Sequence, residues 1–470
     1  MHRLHTLAFS SLAALALAGC GVGPDYVAPI PAPPAQGAFV SQPVAVTGDA
    51  AIAGRWWRLY DDPVLDRLVE DALANNKDVA VAMANIAKAR ASLRGTKSDR
   101  LPQTNIGAGA DYGRLPASQR SPGASREDWQ VNGGLDIAYE IDLFGRVSRN
   151  VEAARADLAE AEATRDAVRV TVAAETARAY ADLNSATERL GVAEHIVALI
   201  DQTATLTTKR FEAGRGTKLD VARALALRDQ QKALIPPLAA QRDAARFRLA
   251  TLTGRPPSEL PADAQARGTT LRLEKPIPVG DGAALLARRP DVRAAERRLA
   301  AQTARIGVAT ADLYPRITLG GSVTSTSTGF GNIFGAGPLG WLLGGLVSWN
   351  FPNQEATRAR IQGAEAEAQG ALASFDGTVL RALEETETAL SAYGHALDQR
   401  TALQSARDQA EIAARIARAQ QREGRVDFLI VLDAERTFAE TQAALAEADA
   451  RIVTTQVDLF RALGGGWQDG

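Results

Sequence analysis

The sequence predicts a mixed α and β membrane protein, in which short barrel-forming strands are joined to helices too long for one globule. Three observations carry that class. Four segments alternate apolar and polar residues, two stretches (147 to about 210, and 354 to about 421) read as long helix, and the plan occurs twice. Of 470 residues, Lys plus Arg number 53 against 55 Asp plus Glu, a formal charge of −2. That balance argues against bulk nucleic-acid binding, which needs a basic face. A hydrophobic fraction of 46% with 23% charged residues excludes wholesale disorder. One cysteine and four histidines exclude an internal disulfide or a cysteine metal cluster and leave little for acid–base chemistry. The composition leans away from an enzyme.

Taken in order, residues 1–19 read as an export signal: Arg3 opens it, Leu7 to Leu17 is apolar, and Leu17-Ala18-Gly19 precedes Cys20. Roughly ten apolar residues are too few for a membrane-spanning helix, which needs about 20. The sole cysteine sits where a bacterial lipobox places it, a resemblance that implies cleavage before Cys20 and its acylation. With Gly rather than Asp at position 21, the outer membrane is favoured. Residues 20–55 follow as a lipid-anchored tether, whose Pro24, Pro29, Pro31, Pro33 and Pro34 favour extended chain and let the lipid sit away from the body.

The repeat comes next, residues 56–260 and 261–470. Asn76-Lys77-Asp78-Val79 and Arg289-Pro290-Asp291-Val292 lie 213 residues apart, as do Leu101-Pro102 and Tyr314-Pro315. Tyr139 and Trp349, and Phe211-Glu212-Ala213-Gly214-Arg215 and Gln421-Arg422-Glu423-Gly424-Arg425, are offset by 210. Each copy therefore reads helix, two strands, long helix, glycine turn, return helix.

The first strands fall at about 102–113 and 129–143. Val131, Leu135, Ile137, Tyr139 and Ile141 alternate with Gln130, Asn132, Asp136 and Glu140, the period of a strand with one apolar face. The second pair falls at about 315–325 and 340–351; Leu342 and Leu346 blur the polar face of the last. Such strands suit a transmembrane β-barrel, wet inside and apolar outside. Four cannot close alone, and an open edge in lipid leaves backbone groups unpaired at several kcal/mol each. Several copies must therefore share one barrel.

From Val147 the first long helix lacks proline, and Val147, Val151, Ala154, Leu158, Val168 and Val172 form a coiled-coil seam. Arg155, Asp157, Glu160 and Glu162 read as its solvated face. Pro236-Pro237 should kink the return helix or start a second one. In the second long helix Gly363, Gly370, Gly377 and Gly394 are weak points.

At this point the chain resembles the TolC-like outer-membrane efflux channels, of the OprM/NodT lipoprotein type. The resemblance rests on Gly23-Pro24-Asp25-Tyr26, Trp56-Trp57 with Asp61-Asp62-Pro63, Asp142-Leu143-Phe144-Gly145-Arg146, Arg288-Arg289-Pro290-Asp291-Val292 and Val431-Leu432-Asp433-Ala434, in that order. It implies a homotrimer with four strands per chain in a twelve-stranded barrel, continued by a periplasmic α-helical tunnel. It further implies an inner-membrane RND transporter and a periplasmic adaptor as partners, outer-membrane lipid around the barrel, no nucleic acid, no catalysis and no cofactor beyond the lipid on Cys20. In the family, acids just after the tip turns form the gate, which maps onto Asp220 and Asp433. Where some members carry a second acid, this chain has Ile430, so one charged ring from Asp433 with an apolar ring beside it is expected. By the same resemblance, the tips at Gly214, Arg215, Gly424 and Arg425 contact the adaptor.

Gly335-Ala336-Gly337-Pro338-Leu339-Gly340 fits GxGxxG but leads into a strand, so a nucleotide reading fails its context. His195 and His395 read as surface residues, and Glu384-Glu385-Thr386-Glu387 as wet helix face rather than a carboxylate dyad. The alternatives to a drug-efflux duct are a type I secretion channel, a metal-efflux channel, or a lipid-anchored coiled-coil spacer. The alternating strands speak against the spacer.

Overall fold

The computed structural model describes residues 21–48, 54–114, 116, 118, 123, 125–260, 268–273, 275–335 and 339–465. The export signal, Cys20 and part of the Gly335–Gly340 loop lie outside the described residues. Two compact units divide the chain: one comprises 21–29, 85–162 and 294–375, the other 30–84, 163–293 and 376–465.

The first unit holds a sheet of four strands, β1 (Gln103–Arg114), β2 (Glu127–Ile141), β3 (Arg316–Thr328) and β4 (Leu339–Ser348), adjacent in that order. All three pairings are antiparallel. Register aligns Ile106, Leu135, Val323 and Trp341 in one row across the sheet, and Asn105, Asp136, Ser322 and Leu342 in the next. Since alternate residues take opposite faces, one face is apolar through its middle, with Thr104, Arg114, Glu127, Ser325 and Ser327 toward its ends, and the other is polar apart from Ala138, Leu342 and Leu346. Among the described residues most of the apolar face is uncovered: Ile106 is 82% exposed, and Trp341 and Leu343 are each 78% exposed, while Val131 near the loop end is buried. β1 and β4 each leave one edge unpaired within the sheet.

The strand ends differ from the sequence reading in an instructive way. β2 stops at Ile141 because Asp142 turns to cap the next helix, its carboxylate accepting from the Val147 and Ser148 amides at 2.9 and 2.8 Å. β4 stops at Ser348; Trp349 leaves the ladder, donates its indole N–H to the Leu313 carbonyl and stacks on Phe351.

The helices are α1 (Pro63–Asn75), α2 (Lys77–Ser98), α3 (Arg146–Glu212), α4 (Lys218–Lys232), α5 (Ile235–Leu252), α6 (Gly282–Arg288), α7 (Pro290–Ala311), α8 (Glu355–Arg422) and α9 (Phe428–Ala462). At 67 and 68 residues, α3 and α8 each extend roughly 100 Å. The four glycines of α8 do not interrupt it, contrary to the weak points expected of them. Pro236-Pro237 acts as anticipated: α4 ends at Lys232 and α5 starts at Ile235 with prolines in its first turn, where the missing N–H groups cost nothing. The second half has no proline there, and α9 is continuous.

The α3 seam is buried at Val147, Val151, Ala154 and Val172. Val151 and Ala154 pack on Leu93 of α2, and Val172 packs on Ala72 and Val79. Its polar face is less solvated than the sequence suggests. Asp157 binds Arg305 of α7 at 2.7 Å, Glu162 binds Arg90 of α2 at 3.3 Å, and burial raises the Glu160 carboxyl above its ordinary range. No helix among the described residues is long and apolar enough to cross a membrane.

The second unit is centred on Trp56, Trp57, Leu285, Leu249 and Phe460, with Trp56 stacked on Phe460 at 4.5 Å. Here the arginine motif becomes legible as an end-cap for α9. Arg288 donates to the Leu463 carbonyl, and Arg289 to the Ala462 carbonyl and to the Asp291 and Glu385 carboxylates. Cations are favoured at this end of a helix. Glu387 accepts from the Val40 and Ser41 amides, so the acidic run is partly a structural anchor rather than only a wet face.

Candidate functional site

The two glycine turns have one geometry. Gly214 and Gly424 both adopt φ +72°, and the following arginine amide closes back to a helix carbonyl: Arg215 to Arg210 at 2.8 Å, Arg425 to Gln420 at 2.9 Å. This left-handed helix ending needs glycine for its backbone, not for space, because a Cβ on either would meet nothing within 4 Å. Arg215 and Arg425 point outward, the latter 3.1 Å from Glu423. Behind the turns, Ala204 of α3, Ala224 of α4 and Phe428 of α9 form one small core, so the tips belong together.

The acids beside them take different parts. Thr217 caps α4 in a reciprocal box with Asp220: the Asp220 amide donates to the Thr217 hydroxyl, which donates to the Asp220 carboxylate at 2.7 Å. Asp427 holds the same place before α9, without a side-chain cap bond. The repeat offset then makes Ile430 the counterpart of Asp220, and Arg223 the counterpart of Asp433. The two acids read as equivalents from sequence therefore stand one turn apart. Asp433 is 64% exposed at its side chain and receives Arg436 at 2.6 Å, while Leu429 and Ile430 are half exposed.

Sequence reasoning missed Arg436 and, beyond it, Glu435. The Glu435 side chain turns inward from α9, is 6% exposed and accepts from the Thr203 hydroxyl of α3 at 2.9 Å. Arg418 of α8 stands at 4.0 Å, and the second carboxylate oxygen has no hydrogen-bond partner among the described residues. Burial pushes this carboxyl above its ordinary range. The clue was available: Val431, Glu435 and Ala439 share one helix face, and the outer two are apolar. Between Val192 and Ile196 of α3, Leu234 and Pro237 at the α4–α5 break, and Ala439 and Ala443 of α9, lies a cleft of about 440 Å³ that Arg189, Gln241, Glu440 and Glu447 also line.

The amino-terminal strap also departs from expectation. It is extended, but held on the body rather than free of it. The Val22 amide donates to the Phe144 carbonyl at 3.2 Å, Arg149 donates to Asp25 at 2.6 Å, and the Tyr26 hydroxyl donates to Glu296 at 2.6 Å. Gly145, at φ +78°, admits the strap: a Cβ there would stand 2.8 Å from the Gly21 Cα. Thus Gly21, the neighbour of Cys20, lies where β2 hands over to α3.

Comparison with known proteins agrees with this construction. The family description "Outer membrane efflux protein" matches residues 68–255 and again 283–465. The outer membrane protein OprJ of Pseudomonas aeruginosa is 32% identical over 462 residues, covering 98% of this chain and 95% of that one. The pyoverdine export outer membrane protein OpmQ of Pseudomonas putida is 32% identical, covering 93% and 94%. The solved outer-membrane channel OprN superposes with a TM-score of 0.88 at 38% identity, covering 96% of this chain and all of that one. A sheet whose apolar face is largely uncovered, helices of some hundred ångströms and a family match in each half lead to one assignment: this chain belongs to the outer membrane efflux protein family and is a TolC-like channel of the outer membrane.

Proposed function

We propose that the chain is the exit duct of a tripartite efflux pump, a passive conduit through which an inner-membrane RND transporter, joined by a periplasmic adaptor, expels drugs or other toxic small molecules. The observation that carries this reading is the four-stranded sheet, with one predominantly apolar face and unpaired at both edges. Three copies close twelve strands into a barrel with a lipid-facing exterior. Internal duplication accounts for the hairpins: Gln103 faces Ala138 as Arg316 faces Ser348, at the 213 and 210 offsets of the sequence.

Acylated Cys20 anchors each copy in the outer membrane, and the residue after it, Gly21, is seated on the β2–α3 junction. The helix tips form the periplasmic gate, with Asp433 giving a ring of carboxylates, Ile430 an apolar ring beside it, and Asp220 supporting the turn of the first half. Like charges brought together around an axis repel, which opposes closure unless they are compensated. Arg436, paired with Asp433 in the same chain, supplies that compensation. Gly214, Arg215, Gly424 and Arg425 form the adaptor-contact surface, with both arginines presented outward. Drug accumulation in a deletion strain, complemented with the chain in the presence or absence of each candidate pump, tests the reading. Accumulation should fall only when chain and cognate pump are both present; a fall without any pump would contradict it.

A further inference from the structure

The sheet carries enough information to fix how neighbouring copies join, an inference that rests on the trimeric barrel proposed above. Gln103 on β1 faces Ala138 on β2, which faces Gly320 on β3. The residue holding Gln103's place in the second hairpin is Arg316, so crossing from one hairpin to the next advances the register by four, from 316 to 320. The seam between copies adds its own step. Because side chains alternate between faces, that step must be even to keep the apolar face outside.

Steps of zero, two and four close three copies with total offsets of about 12, 18 and 24 residues. At ~3.3 Å rise and ~4.8 Å strand spacing these correspond to tilts of about 35°, 46° and 54°, against a usual range of about 35–45°. A step of four is the steepest and puts Leu339 and Gly340 opposite residues 116 and 115, beyond the end of β1. It would leave strand backbone unpaired at the seam, which a membrane penalises. A step of zero sets Val347 against Thr104 on the lipid face and Trp341 against Ala110.

A step of two sets Val347 against Ile106 and Trp341 against Tyr112, with all ten residues of β4 opposite β1. Tyr112 already lies 5.6 Å from Trp129, and Trp129 lies 5.6 Å from Phe330. Adding Trp341 makes that row continuous across the seam, as an aromatic girdle at a membrane interface requires. On the lumen side Leu346 then lies over Gly107, and Leu342 stands beside Asp111. We propose that β4 of one copy pairs antiparallel with β1 of a second copy in this register, Trp341 facing Tyr112, Leu343 facing Ala110 and Val347 facing Ile106. The seam inside the chain and the seam between chains are then unequal, four and two, although the hairpins are repeats.

Engineered disulfides in the full-length protein test this, since Cys20 is the only native cysteine. Directly opposed Cβ atoms lie about 4.5–5.5 Å apart and diagonal ones about 7–8 Å apart. The pairs Leu343→Cys with Ala110→Cys on the lipid face, and Leu342→Cys with Asp111→Cys on the lumen face, should shift the monomer band to dimer and trimer bands after oxidation by copper phenanthroline in outer membranes. Leu343→Cys with Ala108→Cys, or with Tyr112→Cys, should leave most protein at the monomer position. Crosslinking dominated by either shifted pair would overturn the register while leaving the trimer standing. A trimer by native mass in which none of the pairs forms overturns it too. Protein monomeric by native mass and uncrosslinked at every pair would overturn the trimer itself.

Discussion

Glu435 puts a pH-dependent term in the packing behind the helix tips. Burial raises its folded-state value above that of an unfolded carboxyl, so the folded chain binds this proton more tightly. The stability this contributes is complete below the ordinary carboxylate range and is lost as pH rises through the raised value. Thr203 and Arg418, the groups facing it from α3 and α8, do not reverse that direction. Glu435→Gln should therefore flatten the dependence of thermal unfolding on pH across that window; an unaltered slope would show that Glu435 is not its source. At the gate, Asp433→Ala removes three carboxylates from the proposed trimer and frees Arg436, so basal conductance in planar bilayers should rise and cation preference fall. Unchanged conductance and selectivity would remove Asp433 from the gate. Gly424→Ala should cost only about 1–2 kcal/mol, the strain of a left-handed turn without a clash. Chemical denaturation checks that value, and a much larger loss would mean that the tip is packed rather than open.

At the scale of elements, the motifs that read as family marks turn out to be helix ends. Asp142 starts α3, Asp62 starts α1 by accepting from the Val64 and Leu65 amides, and Arg288 and Arg289 finish α9. Arg289→Ala should destabilise the second unit by about 2 kcal/mol, because it leaves the Ala462 carbonyl only the longer bond from the Thr386 hydroxyl and breaks the bonds to Asp291 and Glu385. A shift in the denaturation midpoint within error of zero would contradict that role. Helix and strand identity was legible because periods of two and of three to four are local, and both Pro236-Pro237 and the turn glycines act through their own backbone. The docking of the strap was not legible, since prolines specify extension but not what an extended segment lies against. Phe144 and Arg149 at the β2–α3 junction and Glu296 of α7, which hold it, come from two separate parts of the chain. For the same reason the sequence gives Asp157 and Glu162 no visible partners, although Arg305 and Arg90 are theirs.

For the molecule as a whole, what the chain leaves unfinished is as informative as what it completes. Tyr60, Gln456 and Tyr393 close a buried hydrogen-bonded chain inside the second unit, whereas every residue of β4 is exposed and its outer edge is unpaired. Each exposed apolar strand residue is surface that water penalises and lipid does not. The repeat made the need for several copies visible in the sequence, because two short hairpins cannot enclose a pore. The number of copies and the register between them depend on tilt and on residues that meet only across a seam. The most direct test is to measure the native mass of the purified, lipidated protein in mild detergent together with its conductance after reconstitution. The account predicts a particle of three chains that conducts once the Asp433 gate is weakened; a particle of one chain that stays impermeable with the Asp433→Ala substitution would contradict it.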